Sequence, residues 1–260
     1  MKNSLYRQFA QVYDIFMSAV PYKRWAGYIS EMLQSHGIAP GALVLDVACG
    51  TGTMAFLMAE KGYEMIGVDA SADMLSEALN KKNKQDKKDN KITKKKGRNI
   101  LFLNQDILAL DLYGTVDAAY STCDALNYIM TDDDFEKVLR NVLLFLNPGG
   151  IFIFDLKTET KYRQLGNSTY HDSSRNASYI WKNRYDADTM INEYHVKFFV
   201  DGKESFSETH RQRAYTIKTI TDLAQQAGFN VQAVKDNYTY DPVRPESERA
   251  TYILTTPIKG

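Results

Sequence analysis

VLDVACGTG, residues 44–52, is a short apolar strand that runs directly into a Gly-x-Gly turn, and a helical pattern follows it. Gly50 and Gly52 permit positive φ values and let a ligand approach the backbone closely. Asp69 ends the next apolar run, where its carboxylate can accept hydrogen bonds from both hydroxyl groups of a ribose. The stretch therefore predicts a strand–turn–helix unit that binds a nucleoside.

Further along the chain, apolar runs of strand length alternate with amphipathic helical patterns. Ser71 is in an N-cap position, Gly62 and Gly228 are in positions that end helices, and one helix over 135–146 is predicted to stop at Asn-Pro-Gly-Gly. Such alternation is typical of a doubly wound α/β fold with a mostly parallel sheet. Seven strands are predicted in that sheet: Leu43–Ala48, Glu64–Asp69, Ile100–Gln105, Asp117–Ser121, Ile151–Asp155, Phe229–Lys235 and Arg249–Thr255.

The alternation breaks between Ser178 and Tyr215, where three long segments alternate polar and apolar residues. Turn signals at Asp186-Ala187-Asp188 and Asp201-Gly202 separate them, which predicts an inserted antiparallel β-meander. We therefore expect a helical cover over residues 1–39, a core formed by 40–156 and 216–260, and an insertion at 157–215. The insertion would serve as a lid or substrate platform, and a dimerisation surface is the alternative.

The charges of the chain cancel, with 32 basic and 32 acidic residues in 260, but residues 81–98 are strongly basic. This segment holds ten basic side chains against two acidic ones, a net charge of +8, so the other residues carry −8. It interleaves no aromatic residues, and charge without base stacking favours a solvated loop over an RNA clamp. Only two cysteines occur and no apolar run reaches 18 residues, so we expect no disulfide framework, no metal site, no membrane span and a cytoplasmic location.

The nature of the ligand depends on Asp46, which lies inside the first strand, four residues before Gly50. The run GTGTMA also fits the G-x-G-x-x-A form of a nicotinamide-binding turn. A carboxylate at position 46, however, would stand beside the pyrophosphate of such a cofactor. A ligand with a cationic centre and no phosphate suits the position better, and S-adenosylmethionine has a ribose, an ammonium, a sulfonium and no phosphate.

Five motifs occur in one order along the chain: VLDVACGTG, VDAS at 68–71, QDIL at 105–108, YSTCDALNY at 120–128 and NPGG at 147–150. In this order they resemble the class I S-adenosylmethionine-dependent methyltransferases. The first two motifs are similar to those of glycine N-methyltransferase, and the inserted meander is similar to that of the aminosugar N,N-dimethyltransferases. The resemblance implies S-adenosylmethionine as cofactor.

The resemblance also implies roles for individual residues around the cofactor. Asp69 would bind the ribose hydroxyl groups, and Thr122 would face the methionine end of the cofactor. Core packing is the alternative reading of Met74 and Ile107, and docking on the core is the alternative for the N-terminal helix that carries Tyr13. The remaining cofactor contacts implied are Asp46, Ala48, Gly50 and Gly52 for the methionine moiety and sugar, Met74, Asp106 and Ile107 for adenine, and Tyr13 and Trp25 as a cover.

The resemblance further implies that the methyl acceptor binds to residues just past the fourth strand and in the insertion. Asp124 and Asn127 are expected to meet the acceptor, with Asp124 taking its proton. Tyr6 and Tyr13 would approach the same cavity, with Tyr13 also a catalytic candidate, and His210 could reach it from the insertion. The chain lacks the Asn-Pro-Pro-Tyr motif of nucleobase methylases.

Three functions remain open from the sequence. The first is a methyltransferase that acts on nitrogen or oxygen of a small molecule, as a monomer or homodimer. The second is an RNA methyltransferase that uses residues 81–98 as a phosphate clamp. The third is a non-catalytic protein that only binds the cofactor.

Overall fold

The structure, a computed structural model, describes residues 13–14, 17–88, 99–174, 177–200 and 203–258. These residues form two β-sheets and six α-helices. The strands are β1 Leu43–Val47, β2 Glu64–Asp69, β3 Ile100–Asn104, β4 Val116–Ser121, β5 Leu146–Lys157, β6 Thr169–Ser174, β7 Ala177–Asp186, β8 Ile191–Val200, β9 Lys203–Arg213, β10 Asn230–Asp236 and β11 Arg249–Thr255. The helices are α1 Tyr22–Ser35, α2 Thr53–Glu60, α3 Ala72–Lys88, α4 Asp132–Phe145, α5 Glu159–Leu165 and α6 Ile217–Ala227.

The first sheet has seven strands in the order β10-β11-β5-β4-β1-β2-β3. Five neighbouring strands run parallel, and β11 is antiparallel to both β5 and β10. One face packs against α4 and α6 through residues such as Phe135 and Ile220, and the other packs against α1 and α2 through residues such as Ile29 and Met58. The predicted doubly wound sheet is confirmed.

Local side-chain chemistry sets where several helices begin and end. The hydroxyl groups of Thr131 and Thr216 accept hydrogen bonds from the amides of Asp134 and Thr219, at the starts of α4 and α6. Ser71 does the same for the amide of Met74 at the start of α3, as its position predicts. Gly228 ends α6 with φ +106°, a left-handed conformation that glycine adopts without strain.

The chain reverses direction in the sheet between β1 and β4. From β1 it proceeds outward to β2 and β3, and it then crosses to β4 and β5 on the opposite side. The carboxyl ends of β1 and β4 therefore diverge around a crevice, which is where open α/β sheets bind their ligands. Both the glycine turn after β1 and the segment after β4 open into this crevice.

The second sheet is an antiparallel meander in the order β6-β7-β8-β9. It contains four strands, whereas the sequence predicts three. The additional strand, β6, is an edge strand whose residues 169–173 are all exposed. Because neither of its faces packs on a core, it shows no polar–apolar alternation from which it could be predicted. The predicted turn at Asp186 is confirmed, and the one at 201–202 lies outside the described residues.

Two further boundaries differ from prediction. Helix α3 continues to Lys88, so the first part of the basic segment is helical rather than a loop, and residues 89–98 lie outside the described part. Helix α4 ends at Phe145, and β5 begins at Leu146 and includes the Asn-Pro-Gly-Gly run. A register irregularity in the β4–β5 pairing accommodates this run. Among the described residues, no helix is long and apolar enough to cross a membrane.

Candidate active site

The turn after β1 brings bare backbone to the crevice. Gly50 and Gly52 have φ values of +55° and +74°, as predicted, and Ala48 has φ +59°. A Cβ on Gly52 would lie 2.7 Å from the Phe102 ring, whereas one on Gly50 would meet no atom of the described residues within 4 Å. Gly52 is therefore required for packing, and Gly50 leaves open space beside the backbone that a ligand can fill.

Asp69 joins the ends of β1 and β2. Its two carboxylate oxygens accept hydrogen bonds from the amide of Gly50 at 2.7 Å and from the amide of Ser71 at 2.8 Å. Burial raises the pKa of Asp69, and the two amides partly offset this rise. Because a carboxylate has about four lone-pair positions, Asp69 can still accept hydrogen bonds from two hydroxyl groups.

Asp46 lies buried beneath the same turn and is 1% exposed. Its carboxylate accepts a hydrogen bond of 3.0 Å from the hydroxyl of Tyr120. Burial raises the pKa of Asp46 to about 8, and the charge of Asp69 adds to the rise. Two acidic side chains beside one turn make this part of the crevice unfavourable for phosphate and favourable for a cationic group, whose charge would favour the ionised form of Asp46.

The segment that carries Tyr13 and Asp14 docks on the glycine turn. Asp14 accepts a hydrogen bond of 2.6 Å from the hydroxyl of Thr51 and forms an ion pair of 2.6 Å with Lys81. Lys81 also donates to the hydroxyl of Thr51 at 2.9 Å. Sequence reasoning missed this cluster, because it is built from three separate elements with no shared pattern.

Tyr13 is half-buried near Cys123, the second residue after β4. Burial raises its pKa far above the usual range, and the neighbouring Cys123, Tyr22 and Tyr128 act in the same direction. The hydroxyl of Tyr22 lies 3.7 Å from the Sγ atom of Cys123. The predicted role of Tyr13 stays a prediction, and Tyr6 lies outside the described residues.

The backbone after β4 is bent unusually, since Cys123 and Asp124 have φ values of +66° and +53°. Non-glycine residues in this region cost about 1–3 kcal/mol each and occur often at functional sites. The carboxylate of Asp124 forms ion pairs with Arg249 at 2.8 Å and with Lys157 at 2.9 Å. Burial acts to raise the pKa of Asp124, but the two cations outweigh it and hold this pKa below its usual range.

These contacts correct the expectation that Asp124 takes a proton from the acceptor. A carboxylate that two cations hold in its charged form is a weak proton acceptor. It also accepts a hydrogen bond of 2.9 Å from Gln212 in the meander. Asp124 is thus the centre of a polar cluster that joins the second sheet to the core.

Two other candidates are explained by contacts within the protein. The side chain of Asn127 is fully buried, accepts a hydrogen bond from the Lys157 amide at 2.9 Å and donates to the Arg213 carbonyl at 2.8 Å. Trp25 is 3% exposed, stacks on Tyr238 at 4.7 Å and lies under the Arg249 guanidinium. This packing accounts for both residues without a substrate or cofactor contact.

His210 is buried on the inner face of the second sheet. Only 7% of the residue is exposed. Its Nε2 atom lies 2.9 Å from a carboxylate oxygen of Glu208, and its ring stacks on Tyr194 at 4.9 Å. The sequence contains no signal for this burial, because Glu208, His210 and Gln212 read as a polar stripe.

A cavity of about 180 Å³ lies between the inner face of the second sheet and the region around β5 and α5. Four of its ten lining residues are aromatic, and Trp181 stacks on Tyr194 at 4.3 Å. The Oδ1 atom of Asn192 is buried there without a hydrogen-bond partner. The lining residues are Lys157, Lys161, Leu165, Tyr170, Tyr179, Trp181, Asn183, Asn192, Tyr194 and Gln212.

Comparison with known proteins bears on this crevice. The methyltransferase domain family matches residues 44–150, which include the glycine turn, Asp69 and the segment after β4. The YqeM protein of Bacillus subtilis (strain 168), assigned as a methyltransferase, is 33% identical over 94% of this chain and 94% of its own length. The chain belongs to the S-adenosylmethionine-dependent methyltransferases.

Three further proteins support this membership. A methyltransferase structure from Clostridium acetobutylicum is 30% identical with a TM-score of 0.82, and the match covers 97% of this chain and 99% of that one. Mouse glycine N-methyltransferase is 31% identical over 52% of this chain and 44% of its own length. The sugar N-methyltransferase KedS8 from Streptoalloteichus shares the fold, with TM-score 0.73, 16% identity and coverage of 95% and 93%.

As a methyltransferase, the protein uses S-adenosylmethionine, and the described residues fit this cofactor. The open space beside Gly50, the buried carboxyl group of Asp46 and the half-buried one of Asp69 suit a ligand that has hydroxyl and cationic groups and lacks phosphate. No group of three or more His, Cys, Asp and Glu side chains suited to a metal ion occurs within the described ranges.

The residues expected around adenine are less distinctive. Asp106 is exposed and accepts a hydrogen bond of 2.9 Å from the amide of Leu108. Ile107 packs partly on the core, and Met74 is 6% exposed at the start of α3. Thr122 is 8% exposed at the end of β4. Their predicted cofactor contacts stay predictions.

We expect Asp46→Asn to stabilise the cofactor-free methyltransferase. The pKa of Asp46 is about 8 in the fold and that of an unfolded aspartate is about 3.9. Unfolding therefore releases a proton between these pH values, so the wild type loses stability as the pH rises through this window. The variant lacks this loss, and its free energy of unfolding at pH 8 should exceed that of the wild type by about 1–3 kcal/mol.

Urea unfolding of both proteins at pH 4 and at pH 8 checks this expectation. The difference in free energy of unfolding should grow from the lower to the higher pH, because only the wild type loses stability over this window. Tyr120 can donate its hydrogen bond to either side chain, so the substitution keeps this contact. Equal stabilities at pH 8 would show that the fold does not disfavour the charged carboxylate.

Proposed function

We propose that this methyltransferase transfers a methyl group from S-adenosylmethionine to a nitrogen or oxygen atom of a small molecule. The observation that carries this proposal is the aromatic cavity of about 180 Å³ beside the carboxyl end of β4. Its size is comparable to a cavity of about 150 Å³ that holds a benzene ring. A single-ring molecule fits such a space.

The cofactor in this proposal lies in the crevice between β1 and β4. Asp69 accepts hydrogen bonds from the ribose hydroxyl groups, while Ala48, Gly50 and Gly52 present backbone to the methionine moiety and sugar. Asp46 orients the glycine turn and balances the ammonium group. The adenine lies between Met74 and Ile107 with Asp106 at its amino group, and Thr122 faces the methionine end.

The sulfonium of the bound cofactor supplies an electrophilic methyl group for in-line displacement. The protein itself has to align the acceptor, exclude water and remove a proton where the acceptor carries one. Tyr13 contributes to the exclusion of water, because it lies half-buried near Cys123 after β4, next to the docked Asp14. Asp124 contributes by holding the meander, and hence the cavity wall, against the core.

The contacts of two basic residues argue against the RNA alternative. Lys81 is engaged by Asp14 and Thr51, and Lys82 donates to the carbonyl of Ile100 at 2.6 Å. At these two positions the charge is used inside the methyltransferase and is not offered to a phosphate backbone. The proposal therefore gives the basic segment no role in acceptor binding.

The experiment that tests the proposal follows a labelled methyl group from S-adenosylmethionine into a cell extract. The extract is afterwards separated into small molecules, RNA and protein. We expect the label in the small-molecule fraction, and we expect Asp69→Ala to abolish most of it while the exposed control Asp111→Ala does not. Label in RNA alone would support the second function, and cofactor binding without label in any fraction would support the third.

A further inference from the structure

Glu208, His210 and Tyr128 form a connected row from the interior of the second sheet toward the crevice. Glu208 is 3% exposed, and one of its oxygens lies 2.9 Å from Nε2 of His210. The Nδ1 atom of His210 lies 3.4 Å from the hydroxyl of Tyr128. This distance is long for a hydrogen bond, as is common for catalytic contacts before the substrate is bound.

The register of the sheet holds this row in place. Tyr194 on β8 lies directly opposite His210 on β9, and its ring stacks on the imidazole. The hydroxyl groups of Tyr194 and Tyr128 are in close contact. Trp181 stacks on the other side of Tyr194 at 4.3 Å, so the imidazole is fixed by a row of aromatic rings.

The exposed end of the row faces the crevice. Tyr128 lies in a short 3-10 helix that directly follows β4, and 39% of the residue is exposed. Burial, Cys123 and Tyr22 raise the pKa of Tyr13, and Tyr128 adds to this rise. Asp14, the residue after Tyr13, is bonded to Thr51 of the glycine turn. Tyr128 therefore lies after β4 at the border of the crevice, and its neighbour Tyr194 also lines the aromatic cavity.

Stability alone gives no reason for this arrangement. A buried carboxylate costs free energy unless it is fully paired, and the second oxygen of Glu208 is buried with no hydrogen-bond partner among the described residues. The residue opposite Glu208 on β8 is the apolar Val196. An acid, a histidine and a hydroxyl in sequence resemble the arrangement by which serine hydrolases move a proton.

We propose that Tyr128 is a catalytic residue that takes the proton of the methyl acceptor, with His210 and Glu208 as positioning residues behind it. The proposal rests on the proposed function. The acceptor's lone pair, which an ammonium acceptor gains only as its proton leaves, forms the bond to carbon while the S–CH₃ bond breaks and its electron pair stays on sulfur. The acceptor's proton passes to the Tyr128 oxygen while the Tyr128 proton passes to Nδ1 of His210, and the imidazolium formed is balanced by Glu208.

This proton relay from Tyr128 to His210 and Glu208 restricts the methyl acceptor to molecules whose reacting atom carries a proton that has to leave. An ammonium group and a hydroxyl group both meet this condition. A neutral tertiary amine or a thioether carries no proton on its reacting atom and would not need a proton acceptor. The relay also supplies the proton acceptor that Asp124, held between Lys157 and Arg249, is poorly suited to be.

The tautomer of His210 tests the relay without any acceptor. A carboxylate only accepts, so the relay requires hydrogen on Nε2 and a lone pair on Nδ1 toward Tyr128. Nitrogen NMR of the labelled wild type, assigned with His210→Gln, should show the Nε2–H tautomer. Glu208→Gln should increase the Nδ1–H form, whereas Glu193→Gln on the outer face should not. A wild type that is mainly Nδ1–H would overturn the relay.

Turnover provides the second test, with the small-molecule fraction of a cell extract as the acceptor probe. At saturating S-adenosylmethionine, Tyr128→Phe and Glu208→Gln should each lower the rate of label transfer about 100-fold, a typical loss for a general base. Cofactor affinity should stay unchanged, and the control His195→Gln on the outer face should keep the wild-type rate. Full rates in both variants would overturn the relay. Absence of label with the wild type would count against the proposed function, while the tautomer would still decide the relay.

Discussion

Asp124→Asn is expected to lower the free energy of unfolding by about 3–5 kcal/mol, the usual cost of removing one partner from a buried ion pair. The variant leaves Arg249 and Lys157 without the carboxylate that both now contact. The amide oxygen of the new side chain can still accept the hydrogen bond from Gln212, so the loss should come mainly from charge. Urea unfolding at neutral pH measures it.

The difference should depend on pH in a defined direction. Because the pKa of Asp124 is depressed in the fold, its contribution is fully present above the unfolded pKa of about 4 and is lost as the pH falls through the lower folded value. The gap between wild type and variant should therefore close in acid. Asp188→Asn, an exposed turn residue, serves as the control and should change stability by no more than about 0.5 kcal/mol. A neutral Asp124→Asn would refute the structural role of this cluster.

Asp69→Ala is expected to weaken S-adenosylmethionine binding by about 100- to 10,000-fold. Two hydrogen bonds from ribose hydroxyl groups to a charged acceptor are worth about 1.5–3 kcal/mol each. Because burial raises the pKa of Asp69, wild-type affinity should also fall at a higher pH than for an ordinary aspartate as the solution is acidified. Calorimetric titration measures both effects.

Asp69 also holds the amides of Gly50 and Ser71, so part of the loss could come from the loops. A cycle with the 2′-deoxy analogue of S-adenosylhomocysteine separates the two contributions. The wild type should bind this analogue more weakly than the parent compound, and Asp69→Ala should barely distinguish them. If the variant discriminates as strongly as the wild type, Asp69 does not contact the ribose.

The local pattern of residues was sufficient to predict the core of this methyltransferase. Strand–helix alternation, the glycine turn and the acid at the end of β2 are all short-range features, and each has a direct backbone consequence. The two positive φ values at Gly50 and Gly52 and the cap at Ser71 follow from the residue types alone. For this reason the sheet, the crevice and the cofactor could be predicted before any contact was known.

The acceptor side depends on contacts between residues far apart in sequence. The position of Asp124 after β4 predicts a proton acceptor, yet its pKa is lowered in part by Arg249, which lies 125 residues away in the sequence. His210 lies in a polar stripe and is buried only because the second sheet folds against Tyr128, 82 residues away. A carboxylate or imidazole takes its proton affinity from the charges and solvent around it, and these are set only when distant strands meet. The sequence by itself determined the cofactor fold, and the tertiary structure decided which side chains are left to act on the acceptor.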